Sequence, residues 1–267
     1  MRINLISTYL PQQCGIATYT DYLVNGTRRV DKELEIKILA EKGAKKVKKK
    51  RFEVLPCWSR NERYDRQIAE HVDADVVHVQ HEYNIYKLDE RLPRLLKRID
   101  AKKVITVHCI RTAHFSENKY EEIFIGRICK LADKVIVHLP AQKDILLRLG
   151  VEEEKIKVIP HGSKISRINK TNARKRLGLP LDAKLLLMFG FIKPHKNLHI
   201  AIEALQMIVK RIGNVKLFIA GWLSSTAKEK ERNYVKLLER KIKELKLSKH
   251  VIFPKKFFPN ELVPYLF

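Results

Sequence analysis

Residues 185–197, LLLMFGFIKPHKN, run from a strand-length apolar segment through a glycine and a basic loop into a segment with helical periodicity, Leu198–Val209. Leu185–Phe189 is apolar on both faces, as expected of a strand buried in a parallel sheet covered on both sides. Gly190 allows a sharp turn at the strand's end. Lys193 and Lys196 flank Pro194, which stiffens the loop, and the following helix places its positive end behind them. This arrangement suits a diphosphate, the group that takes up negative charge when a nucleotide departs. Two lysines in a basic protein mean little alone; their position between strand and helix gives them meaning.

The same strand-then-helix alternation extends in both directions. Apolar, β-branched runs recur at Ile3–Ile6, Ile36–Leu39, Val76–Val79, Val104–Val107, Val135–Val137 and Ile156–Ile159, and again at Val215–Ala220 and Val251–Phe253. Between them lie helical patterns such as Ile68, Ala69, Val72 and Leu92, Leu95, Leu96, Ile99. Such alternation predicts an α/β fold with doubly wound parallel sheets, the helices supplying the crossovers. The rhythm pauses once, in the polar, basic stretch Ser163–Pro180, with a short helix expected around Ala173–Leu177. We therefore expect two doubly wound domains, residues 1–165 and 166–267, the second incomplete with about three strands against the usual ~4–6. Asn260–Phe267 reads as an amphipathic helix that stops in mid-course.

Composition narrows the class. The 267 residues are 45% hydrophobic and 31% charged, a globular mixture. No apolar run approaches the ~20 residues that span a bilayer, and MRINLISTYL lacks the pattern of a secretory signal. Cys14, Cys57, Cys109 and Cys129 are scattered, which reads as free thiols in a reducing cytoplasm. The net charge of +24 attracts anions of any kind, and one dense run stands out, Lys42–Arg51 (KGAKKVKKKR). That run reads as a solvated loop between two elements or as a contact for an anionic membrane surface or lipid phosphate. Nucleic acid is disfavoured as a partner, since no binding motif accompanies the charge and no aromatic residues interleave the run.

In open parallel sheets ligands bind at the carboxyl ends of strands, so candidate residues follow the apolar runs. Gly15, in the first loop, precedes a helix whose free N–H groups can hold an anion; a plain turn is the alternative. The loop lacks the G-x-G-x-x-G fingerprint. His78 and His81 tempt a metal reading, but residues three apart on a strand point to opposite faces. Glu82, just past that strand, is a candidate for a substrate hydroxyl or an ordinary surface carboxylate. His108 follows Val107 at its strand's end, and His161-Gly162 ends the sixth run beside the expected cleft between domains.

CGIATYT, VVHVQHEY, VITVHC, ADKVIVH, VIPHGS and FGFIKPHKN occur here in the order seen in glycosyltransferase family 4, and the chain resembles that family over nearly its whole length. The resemblance implies a GT-B architecture, with two Rossmann-like domains facing across a cleft. It implies retaining transfer of a sugar from a nucleotide-diphosphate donor to a glycan or lipid-linked acceptor, without a metal held by an Asp-x-Asp motif and without a cofactor. Carried over, Gly15 and Gly190 belong to the donor loops, Lys193 and Lys196 bind the diphosphate, and His108 is the catalytic-side residue beside the reacting sugar. Ile16, Glu82 and His161 are acceptor-side candidates. Where the commoner family pattern has an arginine, this chain resembles the F-G-F-I-[KR]-P-x-K variant, with Lys193 in that role.

The chain departs from the family in lacking the later E-x-x-x-x-x-x-x-E motif. Glu231 and Glu239 have that spacing but lie in the helix after Val215–Ala220, too early to be it, and Glu62/Glu70 and Glu82/Glu90 show how cheaply such pairs arise. The expectation is a C-terminally truncated glycosyltransferase whose independent catalysis is in doubt. The alternative is a non-catalytic split fragment that binds an acceptor or a separate chain supplying the rest of the donor domain. Both would be cytoplasmic, with a peripheral position at the inner membrane face as a further expectation.

Overall fold

The computed structural model describes residues 1–111, 120–163, 165–224 and 227–267. The chain divides into two compact units, Met1–Gly162 and Ser163–Phe267. The fold is α/β and GT-B-like, each unit a Rossmann-like parallel sheet with helical crossovers.

The first unit contains β1 (Arg2–Ser7), α1 (Gly15–Val30), β2 (Glu35–Glu41), β3 (Val47–Lys49), β4 (Phe52–Trp58), α2 (Tyr64–Ala69), β5 (Val76–His81), α3 (Arg91–Arg98), β6 (Lys102–Val107), α4 (Tyr120–Lys130), β7 (Lys134–Val137), α5 (Pro140–Arg148) and β8 (Ile156–Val158). Their sheet runs in the order β3-β4-β2-β1-β5-β6-β7-β8, parallel throughout except for β3 against β4. The strand order reverses between β1 and β5, so the loops after these strands border the switch point where such sheets bind ligands.

Side chains alternate between two cores, as the pleat requires. Ile6, Leu39, Val77 and Val79 enter a large cluster built around Trp58, Tyr64 and Tyr86 and the helices α2, α3 and α4. Leu5, Ile36, Ile38 and Ala40 face a second cluster with Val24 of α1. Each fully buried aliphatic side chain contributes about 1.5–3 kcal/mol, so both faces of the sheet hold it together.

The basic run is not the plain loop expected. Val47–Lys49 pairs antiparallel with Phe52–Trp58, and Arg51 takes a positive φ of 59° in the intervening turn. Lys48 and Lys49 occupy the outermost strand, with Lys45, Lys46 and Lys50 also exposed. Lysines at a sheet edge discourage pairing with another chain, and an edge strand needs no continuous apolar pattern.

The second unit contains α6 (Lys170–Leu177), β9 (Lys184–Phe189), α7 (Leu198–Arg211), β10 (Val215–Ala220), α8 (Glu229–Glu244) and β11 (Val251–Ile252), with the sheet ordered β11-β10-β9 and parallel. The Asn169 side chain accepts from Asn172 N–H at the start of α6, and Gly178 closes its end in the left-handed conformation. Within the stretch 163–180, Lys164 lies outside the described residues.

Two expectations change in this unit. β9 is only partly covered, with Leu186 and Phe189 40% and 44% exposed, because it is an edge of the three-stranded sheet. Asn260–Phe267 forms a turn and a single 3₁₀ turn, Val263–Tyr265, instead of a helix, and Pro264 removes a backbone donor there. Among the described residues no helix is long and apolar enough to cross a membrane.

Candidate active site

In the first unit, the carboxyl ends of β5 to β8 and one face of α1 bring together side chains from distant parts of the chain. His78 and Gln80 alternate with the core residues Val77 and Val79 and so lie on the opposite face of β5. Gln80 Nε2 lies 3.1 Å from His78 Nε2, and Thr106 Oγ1 is 2.7 Å from the same nitrogen. Gln80 Oε1 meets His108 Nε2 at 2.9 Å, and His108 Nδ1 lies 3.2 Å from His138 Nε2. The His138 ring is held by its Nδ1, which is 2.9 Å from the Ile159 carbonyl.

His161 stacks on His138 with ring centres 3.6 Å apart. Tyr19 of α1 sets its ring edge-on to His108, His138 and His161 at 4.6, 5.7 and 5.5 Å. Burial, reinforced by the neighbouring histidines, pushes His108 down to about 3, so its ring is neutral near pH 7. Burial also lowers His161 and raises the Tyr19 phenol.

Of the residues expected from sequence, His108 and His161 thus come together. Gly15 and Ile16 open α1, about one helical turn before Tyr19. Gly15 is exposed and a Cβ there would meet nothing, leaving open space over the helix start. Glu82 accepts from Asn84 N–H at 2.6 Å and from Asn84 Nδ2 at 3.1 Å, closing the turn after β5. His78 and His81 diverge as their spacing predicts. His81 is fully buried beside Tyr83, Tyr86 and Phe124, and neither ring nitrogen has a partner among the described residues.

His138, Tyr19 and Gln80 escape the sequence reading, although His138 follows an apolar run as directly as His108 does. Applying the strand-end rule to β7 as well as to β6 and β8 would have marked it.

In the second unit the loops after β9 and β10 are tied together. Gly190 N–H donates to Ala220 O at 3.1 Å and Ile192 N–H to Trp222 O at 3.0 Å. Gly190 has φ 123°, a conformation for which glycine is suited. Pro194–Lys196 forms a 3₁₀ turn, Asn197 reverses into the left-handed region at φ 54°, and α7 begins. Lys193 is half-buried and Lys196 exposed, and among the described residues neither is paired with a carboxylate. His199 N–H is taken by the Tyr234 hydroxyl at 3.2 Å, so at that position α7 offers its dipole and not a free amide. Glu231 accepts from Lys228 N–H, and Glu239 pairs with Lys255, so both carboxylates serve local structure.

The comparisons with known proteins agree with this architecture. The family model Glycosyltransferase Family 4 matches residues 15–167, and Glycosyl transferases group 1 matches residues 169–266. A D-inositol 3-phosphate glycosyltransferase of Corynebacterium urealyticum is 28% identical over 172 residues, which take in 59% of this chain and 40% of that protein. The match therefore spans less than half the length of this curated relative. Among solved structures, Anabaena Alr3699/HepE in complex with UDP and glucose superposes with a TM-score of 0.69 at 17% identity, covering 100% of this chain and 71% of that one. A UDP-forming α,α-trehalose-phosphate synthase from Burkholderia xenovorans gives 0.73 at 11% identity, covering 99% and 75%. At these identities the structures show the fold, whereas the family matches span both units. The chain belongs to glycosyltransferase family 4.

Proposed function

We propose that this chain takes part in the retaining transfer of a sugar from a nucleotide-diphosphate sugar to a glycan or lipid-phosphate acceptor. The observation that carries this reading is the Gly190–Asn197 loop, where two lysines with no carboxylate partner among the described residues flank a rigid turn at the start of α7. A diphosphate in that loop meets both ammonium groups and the helix dipole, which stabilise the charge developing as the nucleotide leaves. The UDP and glucose in the Anabaena structure favour a uridine diphosphate sugar as the donor to test first. In the other unit, the neutral His108 ring beside Tyr19 and the α1 loop suits hydrogen bonding to a sugar hydroxyl. The reading needs no metal at the diphosphate, because the lysines supply the positive charge. The lysine hairpin of β3 and β4 supports an anionic acceptor or membrane surface on the cytoplasmic side.

Titrating UDP-sugars against the chain and its Lys196→Ala variant tests the assignment. A tenfold or larger loss is expected, the size of a charge-assisted hydrogen bond. Equal affinities in the two proteins would refute the lysine site.

A further inference from the structure

Nearly all of the first unit's net charge lies in one stretch. Residues 28–51 hold eleven lysines and arginines against four carboxylates, while the rest of Met1–Gly162 holds twenty against nineteen. Three of the four carboxylates are engaged elsewhere: Glu33 pairs with Arg51, Glu35 with Arg2 and buried Glu41 with Arg60. The fourth, Asp31, accepts from Glu33 N–H at 2.8 Å. Glu53 stands opposite Lys48 in the register of the β3–β4 hairpin. Arg28, Arg29, Lys32, Lys49 and Lys50 thus have no carboxylate partner among the described residues.

The fold sets these cations side by side. The turn from β3 to β4 lies against the end of α1, where Arg51 Nη1 donates to Lys32 O at 3.3 Å and Ile36 N–H donates to Arg51 O at 3.1 Å. The Arg28 guanidinium lies 5.2 Å from the centre of the Phe52 ring, and Phe52 pairs with Lys49 across the hairpin. Asn25, Arg28, Arg29 and Lys32 line a shallow hollow of about 270 Å³. Val30, between Arg29 and Lys32 in sequence, is 90% exposed, more than any other large apolar side chain among the described residues.

Protection of a sheet edge accounts for Lys48 and Lys49, and the dipole of α1 accounts for a basic last turn. Neither calls for an apolar Val30 at the tip or for the two sets of cations to converge. Like charges gathered on one face repel one another and add nothing to the fold, whereas an anionic lipid surface attracts each of them.

We propose that the end of α1 and the β3–β4 turn form a docking surface for an anionic lipid bilayer. Arg28, Arg29, Lys32, Lys49 and Lys50 meet head-group phosphates, and Val30 enters the apolar boundary beneath them. A bilayer fits this surface better than nucleic acid does, because the Phe52 ring already carries Arg28 on its face and offers bases no stacking platform. Such docking rests on the membrane side of the proposed function and names the residues that carry it. It does not involve the diphosphate loop.

Co-sedimentation with vesicles, without any donor sugar, tests the surface. The chain is expected to bind mixed phosphatidylcholine–phosphatidylglycerol vesicles, to leave pure phosphatidylcholine vesicles alone, and to be released as salt is raised. Arg29→Gln with Lys49→Gln and Lys50→Gln removes three exposed cations and should weaken binding about a hundredfold, at about fivefold for each. Val30→Asp should weaken it as well, with no cation lost. Lys230→Gln with Lys236→Gln and Lys243→Gln removes the same charge from exposed positions of α8 and should bind much as the parent does. Equal binding to both vesicle types, equal weakening by the two triple variants, or unaltered binding in Val30→Asp would each overturn the proposal. So would release by millimolar inorganic phosphate at constant ionic strength, or tighter binding to a DNA duplex than to the vesicles. None of these outcomes bears on the UDP-sugar titration, so the docking surface and the lysine site fail separately.

Discussion

Gly221 stands against Gly190 backbone to backbone: a Cβ added at Gly221 would lie 1.9 Å from the Gly190 carbonyl oxygen. No side-chain rotation relieves such a clash, since the Cβ position is fixed by its own backbone and the oxygen belongs to the main chain at the end of the adjacent parallel strand. Gly221→Ala must therefore push the loop after β9 away from β10, breaking the bond from Gly190 N–H to Ala220 O. We expect a loss of about 2–4 kcal/mol, in the range of overpacked or strained sites, read as a lower urea midpoint. An unchanged midpoint would show that the loop yields freely.

Glu41 is buried and its carboxylate is gripped by Arg60 through Nε and Nη2, with Gln12 Nε2 adding a third donor at 3.1 Å. The pair ties the end of β2 to the loop after β4, and Gln12 adds the loop after β1. Arg60→Ala leaves a buried carboxylate short of donors. The variant is expected to lose about 2 kcal/mol, because Arg60 is partly exposed and water replaces some of what is lost. The urea midpoint measures it, and Glu41→Gln with Arg60→Ala should recover part of the loss.

Much of this architecture is legible in the chain, and the failures have physical causes. Val215–Ala220 reads as a strand because its apolar pattern serves two covered faces, and it becomes β10 with those bounds. Val47–Lys49 escapes because an edge strand flanked by lysines needs neither alternation nor a continuous apolar run. His108 and His161 can be singled out as strand-end residues, but their meeting at His138 depends on the order of β6, β7 and β8, which no local pattern encodes. Gly221 is one glycine of ten, and its necessity comes from a carbonyl thirty-one positions away.

Tyr86 donates its hydroxyl to Ile6 O at 3.0 Å, a buried bond between residues 80 apart that crosses from the loop after β5 to β1. Tyr86→Phe keeps the ring in its stack with Trp58 and deletes only the bond. A loss of about 1 kcal/mol is expected in equilibrium unfolding, and a loss below the error of the measurement would mean that the carbonyl is satisfied elsewhere.

The buried histidines of β5 make the fold less stable in acid. Burial pushes His81 from its ordinary 6.5 to about 3 and His78 to about 4. Below pH 6.5 the unfolded chain takes up protons that the folded chain refuses until those lower values are reached. Stability therefore falls as pH falls through that window, by up to about 1.4 kcal/mol per pH unit for each histidine, and neither group has an effect well above it. His81 carries the cleaner test, since its ring nitrogens have no partner among the described residues. His81→Leu removes one titrating group and two orphaned polar atoms, so it should leave stability at pH 8 unchanged or raised and flatten the acid slope by one proton. Urea unfolding of both proteins at several values between pH 5 and 8 measures the difference. Parallel slopes would show that His81 is protonated in the folded chain as readily as in the unfolded one.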